Sequence, residues 1–333
     1  MRIAFFEIEE WEKPRVRGKF GEDVYLDEKK VDEDELSKEN DFEIISIFVD
    51  SRITEKVLAH FPNLKFIATR STGFDHIDLA ACKKRNISVS YVPGYGDNTV
   101  AEFTFGLILN LTRKIYHGID QIKETGSFSF EGLRGTDLKG KTIGIIGTGR
   151  IGKEALKIAK GFGMKVIASD PYPDEKFAKE ENFEYVSLEK LLSSSDIITV
   201  HCPYNEKTRH LINKENIRLI KKGAYLINTA RGGIVETDAL AGALEEGILA
   251  GAGLDVLEEE GETKEEMEFL RRGKFKEDEL KTMLQNHMLM RMPNVLITPH
   301  NAFNSREALE RILGTTLENI EGFLSGGPVN LVP

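Results

Sequence analysis

The chain has 333 residues, 30% of them charged, with a formal net charge of −10 and a pI of about 5.4. That length can bury two ordinary hydrophobic cores, so two domains are expected. The acidic balance, with both signs mixed along the chain, argues against nucleic acid or an anionic membrane as a main partner. Cys82 and Cys202 are the only cysteines and lie far apart, which argues against a disulfide framework and for a reducing compartment. The apolar run at residues 3–6 is cut off by Glu7 and Glu9. It is too short for a signal peptide, and no run approaches transmembrane length, so a cytoplasmic protein is expected. High charge, with glutamine only at Gln121 and Gln285, leans towards a heat-adapted source.

The leading segment alternates strand patterns at 2–8, 43–49, 64–68 and 87–91 with helical patterns at 51–61 and 78–84. Pro62-Asn63 and Gly73 mark loops. Such alternation predicts a parallel sheet with helices on both faces. After Pro93-Gly94 a long amphipathic helix is expected from Asn98 to about Lys123, opened by Thr99 and Glu102 as a T-x-x-E capping box. Phe103, Phe105, Leu107, Ile108, Leu111 and Ile115 make it apolar on more than one side. It is therefore either wholly internal or packed on one side against a second subunit. Residues 125–139 read as a polar, glycine-rich arm.

Residues 141–170 organise the chain. A short apolar run, Ile143 to Ile146, leads into Gly147-Thr148-Gly149-Arg150-Ile151-Gly152, then a helical pattern, then a second apolar run that ends at Asp170. In such a strand–loop–helix the first glycine permits the turn. The second lets backbone approach a pyrophosphate, and the third allows the helix to sit on the strand. The helix N-terminus faces the phosphates. Asp170 would take the adenosine ribose hydroxyls and repel a 2′-phosphate; no arginine follows nearby, so NAD is expected rather than NADP.

Beyond Asp170, strands are predicted at 197–201, 224–228, 251–255 and 295–298, with helices at 187–194, 213–220 and 237–246. They extend the dinucleotide domain to about residue 298. An acidic insertion at 258–281 reads as a solvated surface loop with a helix. The tail, 300–333, starts as a helix that should fold back on the first domain.

Ligands of parallel sheets bind beyond the carboxyl ends of the strands. Arg231 follows Leu226-Ile227-Asn228-Thr229-Ala230 and precedes two glycines. Its guanidinium suits the carboxylate of a 2-oxo or 2-hydroxy acid, the plain alternative being a surface salt bridge. Asp255 ends another strand and could orient a nicotinamide carboxamide, or simply cap a turn. His300 closes Thr298-Pro299-His300 and could pass the hydroxyl proton during hydride transfer. Glu260, within Glu258-Glu259-Glu260, reads from composition alone as a solvated carboxylate. No histidine–cysteine set has metal-ligand spacing. His60, His76, His117, His210 and His287 stand in helices or loops without companions.

The chain resembles the D-2-hydroxyacid dehydrogenase family over essentially its whole length. The likeness rests on Thr72-Gly73-Phe74-Asp75-His76-Ile77-Asp78, the Gly147–Gly152 loop, His201-Cys202-Pro203, Asn228-Thr229-Ala230-Arg231-Gly232-Gly233, Leu254-Asp255-Val256 and Thr298-Pro299-His300, in that order. It implies a Rossmann NAD-binding domain, 98–299, inserted into a flavodoxin-like α/β substrate domain built from both chain ends, 1–97 and 300–333. It also implies a homodimer, with the helix from Asn98 and the following arm at the subunit contact. By the same likeness Arg231, Glu260 and His300 are catalytic, which replaces the bland reading of Glu260. Thr72 and Gly73 bind the substrate carboxylate. His201, Cys202, Pro203, Thr229 and Ala230 join the glycine loop, Asp170 and Asp255 around the cofactor.

Tyr95, after Val92-Pro93-Gly94, and Phe303, in His300-Asn301-Ala302-Phe303, resemble the substrate pocket of the D-lactate dehydrogenase branch. Packing between domains is the alternative for both aromatics. Gly94-Tyr95-Gly96-Asp97 is more glycine-rich than that branch leads one to expect. With the last residue at Pro333, no C-terminal regulatory domain is expected. The expected activity is NAD-dependent interconversion of pyruvate and D-lactate. Bulkier 2-oxo acids or glyoxylate are the alternative substrates, and an NAD-sensing interaction protein is the alternative from another class.

Overall fold

The structure, a computed structural model, describes residues 1–260 and 277–332. The chain divides into two compact units, Met1–Tyr95 with Asn304–Pro333, and Gly96–Phe303. The boundary expected at 97/98 and 299/300 is displaced by a few residues. His300, Asn301 and Ala302 side with the second unit because all three backbone N–H groups donate to Asp255.

In the first unit β1 (Ile3–Phe5), β2 (Tyr25–Leu26), β3 (Ile44–Ile47), β4 (Phe66–Thr69) and β5 (Ser88–Ser90) form a parallel sheet in the order β2-β1-β3-β4-β5. This is the flavodoxin-like order. Every residue of β3 and β4 is buried, as expected for strands covered on both faces. Ala4, Phe6, Ile45, Ile47 and Ile67 pack with Val57, Leu58, Phe61 and Ala81 on one side. Phe5, Ile44, Phe66 and Ala68 pack with Leu313, Leu317 and Ile320 on the other. The latter three belong to the helix Arg306–Leu324, whose N-terminus is capped by the Ser305 hydroxyl. Phe323 stacks on Phe66 with ring centroids 4.3 Å apart. The tail thus completes the sheet's second covering layer.

The second unit holds β6 (Thr142–Ile146), β7 (Lys165–Ser169), β8 (Glu184–Tyr185), β9 (Ile197–Val200), β10 (Ala224–Asn228), β11 (Leu249–Leu254) and β12 (Val295–Ile297). All pair in parallel, in the order β12-β11-β10-β9-β6-β7-β8. Counted from β6 this is the dinucleotide-binding order with one further strand, and its switch point lies between β6 and β9.

Several local expectations are corrected. The long helix is two, Asp97–Arg113 and Ile115–Thr125, broken where Lys114 takes a left-handed φ of 51°. The T-x-x-E capping box does not form. The helix begins before Thr99, at a Gly96 cap without a side-chain bond, so Thr99 is buried in the first turn and Glu102 accepts instead from Asn98 (3.0 Å). The helix expected at 213–220 is only a 3-10 turn, Ile217–Leu219. Asn213 and Asn216 exchange side-chain bonds with each other's backbone N–H (3.2 and 2.9 Å), an arrangement that competes with the helical ladder. The insertion expected at 258–281 lies largely outside the described residues; the helix Glu277–Arg291 takes in its last residues.

That helix is tied to the helix Thr237–Glu245 by Asp238, which accepts from Lys214 (2.5 Å), Lys281 (3.0 Å) and Gln285. The Lys214 contact, then that of Lys281, holds the Asp238 carboxyl down at about 2 from an ordinary 3.8. A depressed carboxylate contributes stability that is present above its unfolded value and lost as pH falls through its folded value. The melting-temperature gap between wild type and Asp238→Asn should therefore be constant above about pH 5 and narrow towards about pH 3. Thermal melts across that range check this, and a gap that does not narrow would overturn it.

Candidate active site

The glycine loop is built first by contact distances inside the second unit. A Cβ on Gly147, which has φ +92°, would stand 2.7 Å from the Cys202 backbone N, and one on Gly152 would stand 2.0 Å from the Gly147 carbonyl oxygen. These two glycines let β6, β9 and the helix Arg150–Gly161 approach one another. Gly149 is different: a Cβ there would meet nothing within 4 Å. It caps the helix without a side-chain bond, so its bare backbone faces open space where a phosphate can approach. Arg150, one residue on, is exposed and pairs with Asp97 at 2.7 Å.

Asp170, after β7, turns its carboxylate back on this loop. It accepts from the Thr148 backbone N (2.7 Å) and hydroxyl (3.0 Å), and from the Tyr172 backbone N (2.8 Å). The Thr148 hydroxyl also bonds the Tyr185 hydroxyl at 2.8 Å. The acid that sequence assigns to the ribose is therefore already fixed against the second residue of the fingerprint.

Across the switch point, His201 donates its backbone N–H to Ile146 (2.8 Å), and its Nε2 lies 3.0 Å from the Thr199 hydroxyl. Packing pulls the His201 imidazole down to about 4 and pushes the Cys202 thiol up to about 11. At neutral pH the imidazole is uncharged and the sulfur stays a protonated thiol, which makes Cys202 a weak nucleophile. Pro203 beside them is exposed. Thr229 is buried and its hydroxyl lies 2.9 Å from that of Thr104, which fixes the end of β10 on the helix Asp97–Arg113.

Arg231 stands in extended backbone just after this point. Asn228 shapes its loop, with Oδ1 accepting from Ala230 N (3.0 Å) and Nδ2 donating to Arg231 O (2.9 Å). The half-buried guanidinium donates from Nη1 to Ala230 O at 2.8 Å. The two glycines that follow serve packing: a Cβ on Gly232 would fall 2.0 Å from the Leu257 carbonyl carbon, and one on Gly233 2.9 Å from the Tyr204 ring. The arginine loop thus lies directly on the backbone of residues 257–258.

His300 is set by Asp255. That carboxylate is 1% exposed; it accepts from the Thr298 hydroxyl (2.5 Å) and from the backbone N of Asn301 and Ala302 (both 2.8 Å). Its carbonyl oxygen takes His300 N at 2.8 Å. Burial raises the Asp255 pKa, while these donors and the charge of His300 oppose the rise. Wrapped in this way, His300 adopts a left-handed φ of 51°, a conformation that costs about 1–2 kcal/mol outside glycine. Its Nδ1 then lies 3.1 Å from Glu260 Oε1. The composition-based reading of Glu260 as merely solvated is overturned by this contact.

In the first unit Thr72 is exposed and its hydroxyl donates to Val92 O (2.7 Å). Ser71 donates to Gly73 O (2.6 Å), fixing the turn whose N–H groups sequence assigns to a carboxylate. Tyr95 is half-buried, and its carbonyl accepts from Arg311 (2.6 Å). Phe303, at the end of the second unit, is also half-buried.

Two groups were missed by sequence. Arg70, fully buried before that turn, donates to Phe6 O (2.8 Å) and Glu7 O (2.6 Å) and lies 3.8 Å from the buried Glu12. An arginine at the end of the apolar run Phe66-Ile67-Ala68-Thr69 was the available signal. His210, expected to lack a companion, places Nε2 2.6 Å from Glu258 Oε1. No periodic pattern links positions 48 residues apart. Among the described residues no group of three potential ligands could hold a metal ion, and no helix is long and apolar enough to cross a membrane.

Residues 105–302 match the family model of the D-isomer specific 2-hydroxyacid dehydrogenase NAD binding domain. Over 334 residues the chain is 35% identical to the D-lactate dehydrogenase of Escherichia coli K12, covering 98% of both chains. It is 39% identical over 301 residues to the glyoxylate reductase of Thermofilum pendens, covering 88% of this chain and 82% of the relative. The crystal structure of Aquifex aeolicus D-lactate dehydrogenase, complexed with NAD and lactic acid, superposes with a TM-score of 0.83 at 38% identity, covering 98% of this chain and 96% of that one. A full-length match of this kind, on a parallel sheet whose glycine loop leaves bare backbone and whose strand ends carry the arginine and the paired histidine, identifies the chain as a member of the NAD-dependent D-2-hydroxyacid dehydrogenase family.

Proposed function

We propose that the protein is an NAD-dependent D-lactate dehydrogenase that interconverts pyruvate and D-lactate. The observation that carries the reading is the His300–Glu260 pair at 3.1 Å, held at a strand end beside the loop of Arg231. The E. coli and Aquifex relatives support lactate as the hydroxy acid. Bound NADH supplies the hydride.

Gly147, Gly149, Gly152 and the start of the helix Arg150–Gly161 hold the pyrophosphate, with Thr148 and Asp170 at the ribose. His201, Cys202, Pro203, Thr229 and Ala230 line the cofactor. Arg231 pairs with the substrate carboxylate through its planar fork, and Thr72 and Gly73 are assigned to substrate binding with Tyr95 and Phe303. Glu260 engages Nδ1 of His300, so the proton given to the substrate oxygen is carried on Nε2. Asp255 holds the loop that presents His300. Cys82 and Cys202 are both free thiols, in keeping with a cytoplasmic protein.

The Thermofilum relative favours glyoxylate as a second candidate. Comparing kcat/KM over pyruvate, glyoxylate, 2-oxoisocaproate and phenylpyruvate, with chiral analysis of the product, decides between them. Pyruvate should rank first and give D-lactate; a higher value for glyoxylate would transfer the assignment. His300→Ala should lower kcat roughly a hundredfold or more with NADH affinity unchanged. Gly149→Ala, whose Cβ meets no protein atom, should instead keep the melting temperature and weaken NADH binding. Fluorescence titration separates the two effects, and the reverse pattern would refute both roles.

We also infer a homodimer. Ile115, Ile119 and Ile122 form one apolar stripe on the helix Ile115–Thr125, exposed together with Tyr116, and Phe128 and Phe130 after it are 95% and 91% exposed. An apolar surface of this extent calls for a partner. Light scattering should give twice the 37.4 kDa chain mass for wild type and a smaller mass for the double change Phe128→Asp, Phe130→Asp. A monomeric wild type would end the proposal.

A further inference from the structure

The second unit contains a His–Glu pair besides that of His300. His210 Nε2 lies 2.6 Å from Glu258 Oε1, two residues before Glu260. The other oxygen of Glu258 accepts from the Thr237 hydroxyl (2.8 Å) and backbone N (3.2 Å), at the start of the helix Thr237–Glu245. The Glu258 carbonyl accepts from Asn286 Nδ2 (2.8 Å). His210 donates its backbone N–H to Gly233 O (2.8 Å), two residues after Arg231. Its own carbonyl accepts from Asn213 Nδ2 (3.1 Å), and it holds a left-handed φ of 50°. Between the two glutamates Glu259 is also left-handed, at φ 53°, and so turns the chain between two side chains that meet different histidines.

From these contacts we propose that His210 and Glu258 are positioning residues for the acid/base pair and the substrate arginine. Their hydrogen bonds join three segments: the loop around 210, the Arg231 loop at 231–237, and the strand exit at 256–260 that carries Glu260. The Gly232 approach to Leu257 and Glu258 brings the second and third into direct contact. Without the His210 bond, Glu258 keeps Thr237, but the strand exit loses its tie to the loop that also holds Gly233. Glu260 would then be held less firmly relative to Arg231, with only the Thr237 bonds and the Gly232 contact left between their segments. A displacement on the order of 1 Å can cost about a hundredfold in rate. The side chains of His210 and Glu258 are only partly exposed, at 27% and 14%, so solvent does not readily replace their bond.

This inference rests on the dehydrogenase reading, and the test separates the two. His210→Ala and His210→Gln are compared with wild type in the NADH-bound protein. The glutamine N–H can still donate to Glu258, and neither change removes the cap on Thr237. For His210→Ala, kcat with pyruvate should fall about tenfold or more with KM raised, NADH affinity within about twofold of wild type, and the fold intact by thermal melting. The imidazole 15N signals of His300, which report its bond to Glu260, should move in His210→Ala and return towards wild type in His210→Gln. Unchanged kcat and unchanged His300 signals in a folded His210→Ala would overturn the proposal. So would a His210→Gln protein as impaired as His210→Ala. If wild type reduces no 2-oxo acid, the dehydrogenase reading fails, and the His300 signals alone still decide whether His210 positions the pair.

Discussion

The Asp255 carboxylate gathers the Thr298 hydroxyl and the backbone N–H groups of Asn301 and Ala302, while its carbonyl holds that of His300. A buried carboxylate of 1% exposure is costly unless its lone pairs are filled, and here the chain fills them by closing a tight turn around it. The turn forces His300 into left-handed backbone. In that conformation Nδ1 lies within hydrogen-bond reach of Glu260. The His300–Glu260 contact therefore depends on an aspartate just after β11, the strand beside the edge strand β12.

The glycine loop follows the same logic of fit. Gly147 and Gly152 are needed because protein atoms already stand where their side chains would be, whereas Gly149 is bare towards open space. One motif thus contains two glycines that packing explains and one whose side-chain position no protein atom occupies. Gly232 and Gly233 behave like the first kind, since backbone and the Tyr204 ring occupy their Cβ positions. Glycine after Arg231 serves to seat its loop on residues 257–258, which is how the arginine and Glu260 come to share one scaffold.

Much of this was legible in order along the chain. The buried strands announced themselves as short apolar runs, and the fingerprint announced the switch point, because both are local patterns of period and composition. Local readings failed where a partner outside the segment competed. Thr99 and Glu102 have the spacing of a capping box, yet the helix starts earlier and buries Thr99. Residues 213–220 have an apolar pattern, yet Asn213 and Asn216 satisfy backbone groups with their side chains and leave one turn.

The sequence by itself determined the two parallel α/β sheets, an NAD-binding glycine loop and, through the family likeness, the choice of Arg231, Glu260 and His300 as the residues to propose. All of these follow from periodicity, glycine spacing or ordered motifs, which are properties of the linear chain. Only the tertiary structure decided that Glu258 is engaged by His210 and that Arg70 is buried with Glu12. Composition cannot rank three successive glutamates. Which carboxylate meets which cation depends on where the backbone turns, here at the left-handed Glu259, and on contacts between segments some forty or more residues apart.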